Sequence, residues 1–376
     1  MRVIIIGGGV IGLSVGWRCA QLGTDVTVVD PAPASKASSV AAGLLPPSGD
    51  MLLGQPDFAR LVLHSRSLYP AFTAELAQAA QGPVGHLRNG ILDVAYDPQA
   101  AEGLDRLRQM ADDFGVRYRM LTADDCRRLE PLLAPGVHVG MLSPDDGSID
   151  PRTLTRALAA ALRNADGHLV TDRVDQVLLD GTTPAVRLAD GTVLHADRLV
   201  LAAGPWTHRL PGLPEGLVPE IRPYKGQVIR LHAENHGTPA VRHTVRGSYG
   251  DRAVYIAPRT DGELAVGATY EDAGYDEQVL VEGVADLLAR VRRVLPAAAR
   301  MRFVGAAAGL RPGSPDGRPI LGPTTRQDVL LATGHHRAGV QLTPATAEAV
   351  SRAVVTGELP DYARPFSPIR FASTPV

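Results

Sequence analysis

The hydrophobic pattern at the start of the chain predicts a strand, a helix and a second strand. Residues 3–6 are consecutively apolar, as expected for a strand buried on both faces, and residues 26–29 repeat that pattern. Between them, apolar residues recur at helical spacing from Val10 to Ala20, and Gly23 follows as a stop signal. The first part of the chain is therefore predicted to be a βαβ unit.

The same periodicities predict elements along the rest of the chain. Helical patterns cover about 57–80, 101–114, 151–164, 277–294 and a final segment that ends near 355. Strand patterns cover 90–95, 186–188, 192–194, 198–204, 226–231, 253–258, 263–267 and 329–332. Asp150 and Pro151 are typical of an N-cap and a first helical residue, and Asp190-Gly191 is typical of a hairpin turn.

The order of these elements predicts two interleaved domains. The 376 residues exceed what one hydrophobic core usually supports. Strand 198–204 is apolar on both faces, which suits a covered parallel sheet, whereas the alternating strands after Pro219 suit an antiparallel sheet. The predicted class is α/β, with a Rossmann-type domain around a central parallel sheet, interrupted by a second domain with an antiparallel sheet. The predicted ranges are 1–80, 143–218 and 301–376 for the nucleotide-binding domain, and 81–142 and 219–300 for the second, substrate-binding domain.

A glycine-rich segment joins the first strand to the first helix. In a G-x-G-x-x-G sequence at this place, the first glycine permits a tight turn, the second lets the backbone approach a pyrophosphate, and the third allows close helix packing. Asp30 ends the second strand, where a carboxylate accepts a hydrogen bond from a ribose 2′-hydroxyl, so FAD or NAD is favoured over NADP. The residues predicted to contact the dinucleotide here are Gly7, Gly9, Val10, Ile11, Gly12 and Asp30.

The interrupted domain order favours FAD over NAD. A nicotinamide enzyme normally completes its nucleotide-binding domain before the chain leaves it. A NAD-dependent dehydrogenase is therefore disfavoured. A non-catalytic flavoprotein is the other alternative from a different class.

The amino-acid composition limits the classes of partner that the protein is expected to bind. A hydrophobic content of 45% with 21% charged residues is typical of a globular protein, and a net charge of −2 provides no general field for nucleic acid or an anionic membrane. No uninterrupted apolar run approaches the ~18 residues of a membrane span. Two cysteines, Cys19 and Cys126, cannot build a disulfide framework, which fits a reducing compartment. We expect a cytoplasmic protein that binds neither nucleic acid nor membrane.

Seven parts of the sequence together resemble the D-amino-acid-oxidase superfamily of flavoproteins, and most closely the glycine oxidases of thiamine biosynthesis. They are the glycine-rich segment and residues 39–45, 201–206, 254–259, 267–269, 309–319 and 334–339. The resemblance covers essentially the whole chain. It implies FAD as the cofactor, and we expect the bond to be non-covalent because no cysteine follows Cys126.

The resemblance also implies where FAD contacts the chain. Segment 31–50, which composition alone would equally allow as a linker, would pass beside the ribityl chain and the flavin ring, and its small residues would let the backbone come close. Val174 would bracket the adenine, although an ordinary strand valine is the alternative. The implied cofactor residues are Ser39, Ala41, Ala42, Gly43, Val174, Ala203, Gly204 and Arg311, with His335, His336, Arg337, Ala338, Gly339, Val340 and Gln341 at the start of the last helix.

Arg311 is implied to anchor a substrate carboxylate. It follows a run of small residues and precedes Pro312, which favours an extended backbone in a confined site. A guanidinium can bind a carboxylate through two parallel hydrogen bonds. The resemblance adds Tyr255 and Arg337 to the catalytic set, although a tyrosine that packs on the sheet is the alternative for Tyr255. The adjacent His335 and His336 cannot easily share one metal ion, and no metal site is predicted.

The implied reaction is oxidation of glycine and other small amines or amino acids, including sarcosine and small D-amino acids. The products would be the imine or 2-oxo acid, ammonia and hydrogen peroxide, feeding thiamine thiazole synthesis. Alternatives within the superfamily are a D-amino-acid dehydrogenase and a sarcosine-oxidase-like enzyme. The expected partners are the small substrate and molecular oxygen, and we expect a homo-oligomer.

Overall fold

The computed structural model describes residues 1–45, 55–233 and 241–372. The α-helices in these ranges are α1 (Val10–Gln21), α2 (Ala37–Val40), α3 (Pro56–Ala80), α4 (Pro98–Asp113), α5 (Ala123–Leu129), α6 (Pro151–Asn164), α7 (Val281–Val294) and α8 (Thr343–Thr356). Short 3₁₀ helices cover Gly204–Arg209, Pro296–Arg300, His336–Ala338, Asp361–Phe366 and Pro368–Phe371.

The β-strands in the same ranges form four sheets. They are β1 (Arg2–Ile6), β2 (Asp25–Val29), β3 (His86–Leu87), β4 (Ile91–Ala95), β5 (Arg119–Leu121), β6 (Val139–Ser143), β7 (Ser148–Ile149), β8 (His168–Val170), β9 (Val174–Leu178), β10 (Ala185–Leu188), β11 (Val193–His195), β12 (Arg198–Leu201), β13 (Arg222–His232), β14 (Thr244–Tyr249), β15 (Arg252–Pro258), β16 (Glu263–Gly267), β17 (Arg302–Gly313), β18 (Ile320–Pro323) and β19 (Val329–Thr333). A three-stranded sheet has the order β11-β10-β9, and β3 pairs with β7.

A six-stranded sheet carries the start of the chain. Its order is β18-β19-β12-β1-β2-β8, with parallel pairs except between β18 and β19. Val3 and Ile5 of β1 lie in a core with α1, α6 and α8, whereas Ile4 and Ile6 lie in a core with the three-stranded sheet. The consecutive apolar residues of β1 are therefore buried on both faces, and the predicted parallel sheet is confirmed.

An eight-stranded sheet forms the second main part of the fold. Its order is β17-β13-β16-β15-β14-β4-β6-β5, and its pairs are antiparallel except between β14 and β4. Leu287, Val291 and Val294 of α7 pack on one face, in a core that includes Ile229 and Leu231 of β13. The predicted antiparallel sheet is confirmed. Its other face is turned towards the glycine-rich segment.

The structure differs from the predicted elements in several places, including helix α7 and strand β17. Helix α7 begins at Val281 and not near 277, because the backbone amide of Leu280 donates to the side chain of Gln227 at 2.8 Å. Strand β17 was not predicted, because its run of alanine and glycine has no polar alternation. It lies inside the range predicted for the nucleotide-binding domain, yet it is the edge strand of the eight-stranded sheet.

Among the described residues, no helix combines the length and the apolar character that a membrane span requires.

Candidate active site

A cavity of about 1310 Å³ extends from the glycine-rich segment to the face of the eight-stranded sheet. Gly7, Gly9 and Asp30 line one end of it, and Tyr255 and Arg311 line the other. The carboxyl ends of parallel strands are the usual place for ligands in such sheets. The cavity therefore joins the expected dinucleotide site to the expected substrate site.

The glycine-rich segment makes a turn that side chains would block. Gly7 has a φ of +114°, and a Cβ added there would overlap the carbonyl oxygen of Ala202. A Cβ added to Gly12 would overlap the carbonyl oxygen of Gly7. Helix α1 can therefore start directly behind β1, with its first amides next to the cavity.

Asp30 holds this segment in place while it faces the cavity. Its Oδ2 accepts a hydrogen bond from the amide of Gly8 at 2.6 Å, and its Oδ1 accepts one from Ala32 at 2.7 Å. Each carboxylate oxygen can accept more than one hydrogen bond. The Asp30 carboxylate can therefore take a ribose hydroxyl in addition to these amides.

The segment after β2 is tied to its surroundings, so the linker alternative is wrong for its described part. Arg230 donates to the carbonyl of Ser39 at 2.9 Å, and Arg259 donates to the carbonyl of Ala42 at 2.6 Å. Gly43 has a φ of +69°, and a Cβ there would overlap the carbonyl of Ile149. Residues 46–50 of the predicted loop lie outside the described residues.

Most of the predicted cofactor residues line the cavity. They are Gly7, Gly9, Val10, Ile11, Asp30, Ala41, Ala42, Gly43, Val174, Ala203, Gly204, Arg311, His335, His336, Arg337, Gly339, Val340 and Gln341. Gly12, Ser39 and Ala338 are not among the lining residues. Gly12 packs against Gly7, the Ser39 hydroxyl donates to the carbonyls of Ser35 and Lys36, and Ala338 is buried in the core.

Ser38 takes the place on the cavity wall that was predicted for Ser39. Its hydroxyl oxygen accepts a hydrogen bond from the amide of Val10 at 3.0 Å, so it joins the loop to the start of α1. The one-residue difference arises because residues 37–40 form a helix, which turns successive side chains by 100°. Sequence alone did not show that helix.

At the substrate end, two glycines on neighbouring strands make room for two long side chains. A Cβ added to Gly226 on β13 would overlap the guanidinium of Arg311, which comes from β17. A Cβ added to Gly267 on β16 would overlap the hydroxyl of Tyr255, which comes from β15. Because β13 and β16 are adjacent, the two side chains converge over this pair of strands.

The guanidinium of Arg311 is held by neutral groups. It donates to the carbonyl of Lys225 at 3.1 Å and to the carbonyl of Thr269 at 3.2 Å, and its Cζ lies 5.8 Å from the ring centre of Tyr270. Burial lowers its pKa from the ordinary arginine value, but an arginine remains charged. No carboxylate within the described ranges forms an ion pair with Arg311.

Tyr255 presents its hydroxyl next to this cation. Burial raises the pKa of Tyr255, and Arg311 opposes that rise, which places the two groups within electrostatic reach. The hydroxyl has no hydrogen-bond partner among the residues that the structure describes. Tyr255 is therefore a neutral donor beside the Arg311 guanidinium.

The two histidines of the last loop lie in different surroundings, and burial lowers the pKa of each. His335 is buried with Nε2 3.0 Å from the hydroxyl of Thr346, and burial lowers its pKa to about 3. Burial, then Arg337 and Arg311, lower the pKa of His336 to about 4. His336 instead contacts the edges of two tyrosine rings, Tyr224 and Tyr270. In the described ranges, no group of three or more potential ligand residues could hold a metal ion.

A buried ion pair that sequence reasoning missed lies beside Tyr255. Arg246 is the cross-strand neighbour of Tyr255, and it forms two hydrogen bonds with Asp93, at 2.6 and 2.8 Å. Both charged residues line the cavity. Their pairing requires the parallel contact between β14 and β4, which joins residues 153 positions apart. No local pattern indicates such a pair.

The shape and donors of the cavity fit a flavin dinucleotide. The cavity lining combines Asp30 and the start of helix α1, a set of small residues that includes Ala41, Ala42 and Gly43, and the side chains of Arg311 and Tyr255. Small residues allow the chain to approach a flat ring closely. The Arg311 guanidinium donates to carbonyl oxygens and has no carboxylate partner among the described residues, so an anionic ligand fits there.

Comparison with known proteins identifies the family of the chain. The family model DAO, described as FAD dependent oxidoreductase, matches residues 2–353. The glycine oxidase of Geobacillus kaustophilus is 31% identical over 97% of this chain and 96% of its own length. The bifunctional protein ThiO/ThiG of Synechocystis sp. is 32% identical over 99% of this chain, which spans 54% of that longer protein.

The fold is also similar to that of a solved relative. The crystal structure of glycine oxidase from Geobacillus kaustophilus superposes with a TM-score of 0.89 at 30% identity, covering 97% of this chain and 98% of the other. The match therefore covers nearly the whole chain, including the six-stranded and the eight-stranded sheets.

Proposed function

The chain belongs to the DAO family of FAD-dependent oxidoreductases, and from this we propose that it oxidises glycine and other small amines or amino acids, such as sarcosine and small D-amino acids. Its cofactor is FAD and its class is FAD-dependent amine oxidoreductase. The proposal concerns the substrate, the final electron acceptor and the residues that bind the substrate and the cofactor.

The surroundings of the Arg311 guanidinium are the observation that supports the proposed substrate class. The guanidinium is a partly buried cation whose partners, among the described residues, are carbonyl oxygens and an aromatic ring. A buried charge is costly unless an opposite charge compensates it. A carboxylate would supply that charge and would match the planar fork of the arginine, with the Tyr255 hydroxyl as a further donor.

We propose that the side chains act mainly by positioning. FAD, when bound, would supply the two-electron oxidant for the Cα–H bond of the substrate, with oxygen as the final electron acceptor. Arg311 and Tyr255 hold the carboxylate and so fix where Cα lies. Loss of hydride from Cα of the neutral amine leaves an iminium ion, which water hydrolyses to the 2-oxo acid and ammonia with release of a proton. For glycine the sum is glycine, O₂ and water giving glyoxylate, ammonia and H₂O₂.

No strong general base is needed if the amine enters neutral. His335 and His336 are neutral above about pH 4, so neither adds a positive charge that would repel the cation left by hydride loss. Arg337 lines the same end of the cavity, and we assign it to contact with flavin and substrate. We further propose that the imine feeds thiamine thiazole synthesis, supported by the glycine oxidase and ThiO/ThiG relatives.

The test is hydrogen peroxide release measured with glycine, sarcosine and several small D-amino acids, alongside oxygen consumption. We expect peroxide with glycine and sarcosine in a one-to-one ratio to oxygen consumed. Methylamine, which lacks a carboxylate, is the control and should be a much poorer substrate. Flavin that glycine reduces without peroxide formation would point to another electron acceptor. Failure of all the amino acids to reduce the flavin would contradict the substrate class.

A further inference from the structure

Lys225 is a buried cation that the proposed reaction does not use. Gly226 and Val228 of β13 line the cavity, so the alternation of a strand turns the Lys225 side chain to the opposite face of the sheet. Its exposed fraction is 0%. The ammonium nitrogen lies 2.6 Å from a carboxylate oxygen of Asp276 and 3.8 Å from one of Glu271. These two acids compensate its charge.

Both acids belong to residues 268–276, which we name the Arg311 loop. It leaves β16 and has no helix or regular strand of its own. Backbone hydrogen bonds of 2.9 and 3.0 Å join Lys225 and Glu271. The Glu271 carboxylate also accepts from the Gln227 amide at 2.8 Å and from the Thr269 hydroxyl. The loop is therefore tied to the face of β13 that points away from the cavity.

The same loop holds Arg311 from the cavity side. Thr269 supplies the carbonyl that binds one guanidinium nitrogen, and Tyr270 supplies the ring that faces its Cζ. The carbonyl of Lys225 binds the other terminal nitrogen. A shift of the loop would therefore rotate or release the guanidinium. Irregular segments are generally the more mobile parts of a fold, so such a loop needs side-chain ties to keep a fixed geometry.

We propose that Lys225 is a positioning residue: by binding Asp276 and Glu271 it fixes the Arg311 loop, and thereby the plane in which Arg311 meets the substrate carboxylate. The proposal rests on the proposed role of Arg311. The presence of a lysine at this position agrees with the proposed positioning role. Only two of the 38 cationic side chains in the whole sequence are lysine, and a compact ammonium fits between two carboxylates where a planar guanidinium would need more space.

The experiment compares Lys225→Met, Asp276→Asn and Lys225→Arg with the wild type, all loaded with FAD. Anaerobic flavin reduction by glycine gives a dissociation constant and a limiting rate, and acetate binding is followed by the flavin absorption spectrum. Misplacement of the fork should lower the glycine reduction efficiency roughly ten- to a hundredfold in the first two variants. Acetate should bind more weakly in parallel. Lys225→Arg should recover part of the loss.

Two controls separate positioning from general damage. Asp272→Asn makes the same charge change in the same loop at an exposed residue, and it should behave as wild type. Reduction by methylamine, which lacks a carboxylate, should be unchanged in every variant. An equal loss with glycine and methylamine would indicate general damage and overturn the proposal. Asp276 is partly exposed, so its variant keeps the test open if Lys225→Met does not fold.

The variant Arg311→Ala distinguishes a failure of the positioning role of Lys225 from a failure of the proposed carboxylate site. If Arg311→Ala impairs glycine reduction while Lys225→Met and Asp276→Asn keep wild-type kinetics, the positioning role of Lys225 is wrong and the proposed function stands. If Arg311→Ala reduces its flavin with glycine at the wild-type rate, the carboxylate site itself is wrong. The proposed substrate class would then fail with it.

Discussion

At the scale of single residues, Asp30 holds the glycine-rich segment in place and is predicted to contact the ribose of FAD. Its carboxylate accepts hydrogen bonds from the backbone amides of Gly8 and Ala32 and also lines the cavity. Asp30→Ala should lower FAD affinity roughly tenfold to a hundredfold, since a lost bond to a charged group costs about 1.5 to 3 kcal/mol. Asp30→Asn retains one oxygen acceptor and should lose less. FAD release on dilution measures both, and unchanged retention in Asp30→Ala would exclude a ribose contact.

His335 should make the protein acid-sensitive. Its pKa is about 3 in the folded protein, whereas an unfolded histidine titrates near 6.5. Between these values the unfolded chain binds the extra proton, so the unfolding free energy falls as pH decreases from about 6.5 towards about 3, by up to about 1.4 kcal/mol per pH unit.

The corresponding variant is His335→Gln, which keeps a polar group near Thr346 without a titrating ring. Its melting temperature should depend less on pH between 6 and 4 than that of the wild type. Parallel pH curves for the two proteins would contradict the neutral, buried state of His335.

At the scale of elements, the site depends on glycines in the middle of strands. Gly226 lies on β13 where the Arg311 guanidinium crosses the strand. Gly226→Ala should displace Arg311 and lower glycine turnover at least roughly tenfold, because misplaced catalytic groups lose rate steeply. FAD content should be normal. Gly305→Ala on β17 is the matched control, since nothing lies within 4 Å of a Cβ there. Equal kinetics for the two variants would contradict the contact.

The sequence predicted the elements whose information is local. Helix α6 begins at Pro151, as predicted, and Asp150 caps it by accepting the amide of Arg152 at 3.0 Å. The βαβ unit follows from apolar runs and glycines for the same reason. Strand β17 escaped prediction because alanine and glycine carry no pattern of alternation. Its existence depends on pairing with β13.

The site was predictable only where one residue identifies the chemistry. Arg311 stands out through its small neighbours and the following proline. The partners that hold it are Lys225 on β13 and Thr269 in the Arg311 loop, and the tertiary fold brings them together. The Asp93–Arg246 pair and the placement of Ser38 in place of Ser39 likewise depend on tertiary contacts that no local pattern contains.

At the scale of the whole molecule, FAD should be bound without a covalent bond. Both cysteines, Cys19 and Cys126, are buried away from the cavity lining, and burial raises the pKa of their thiols to about 12 and about 11. Neither is a reactive thiolate at neutral pH. Acid precipitation should release all of the yellow colour into the supernatant. Flavin that stays with the precipitate would contradict this.

The cavity lies between the six-stranded and the eight-stranded sheet. The proposed role of Arg311 as carboxylate anchor can be tested by substitutions at that residue. Arg311→Ala removes the cation, and Arg311→Lys keeps the charge but loses the planar fork. Both variants should purify yellow and folded, because neither changes Gly7 or Asp30, which are predicted to contact FAD.

The decisive measurement is the anaerobic rate of flavin reduction by glycine in Arg311→Ala. The carboxylate anchor predicts a decrease of at least ~100-fold, with no decrease for methylamine. If Arg311→Ala is reduced by glycine at the wild-type rate, Arg311 is not the carboxylate anchor, and the assignment as an oxidase of small amino acids loses its structural basis.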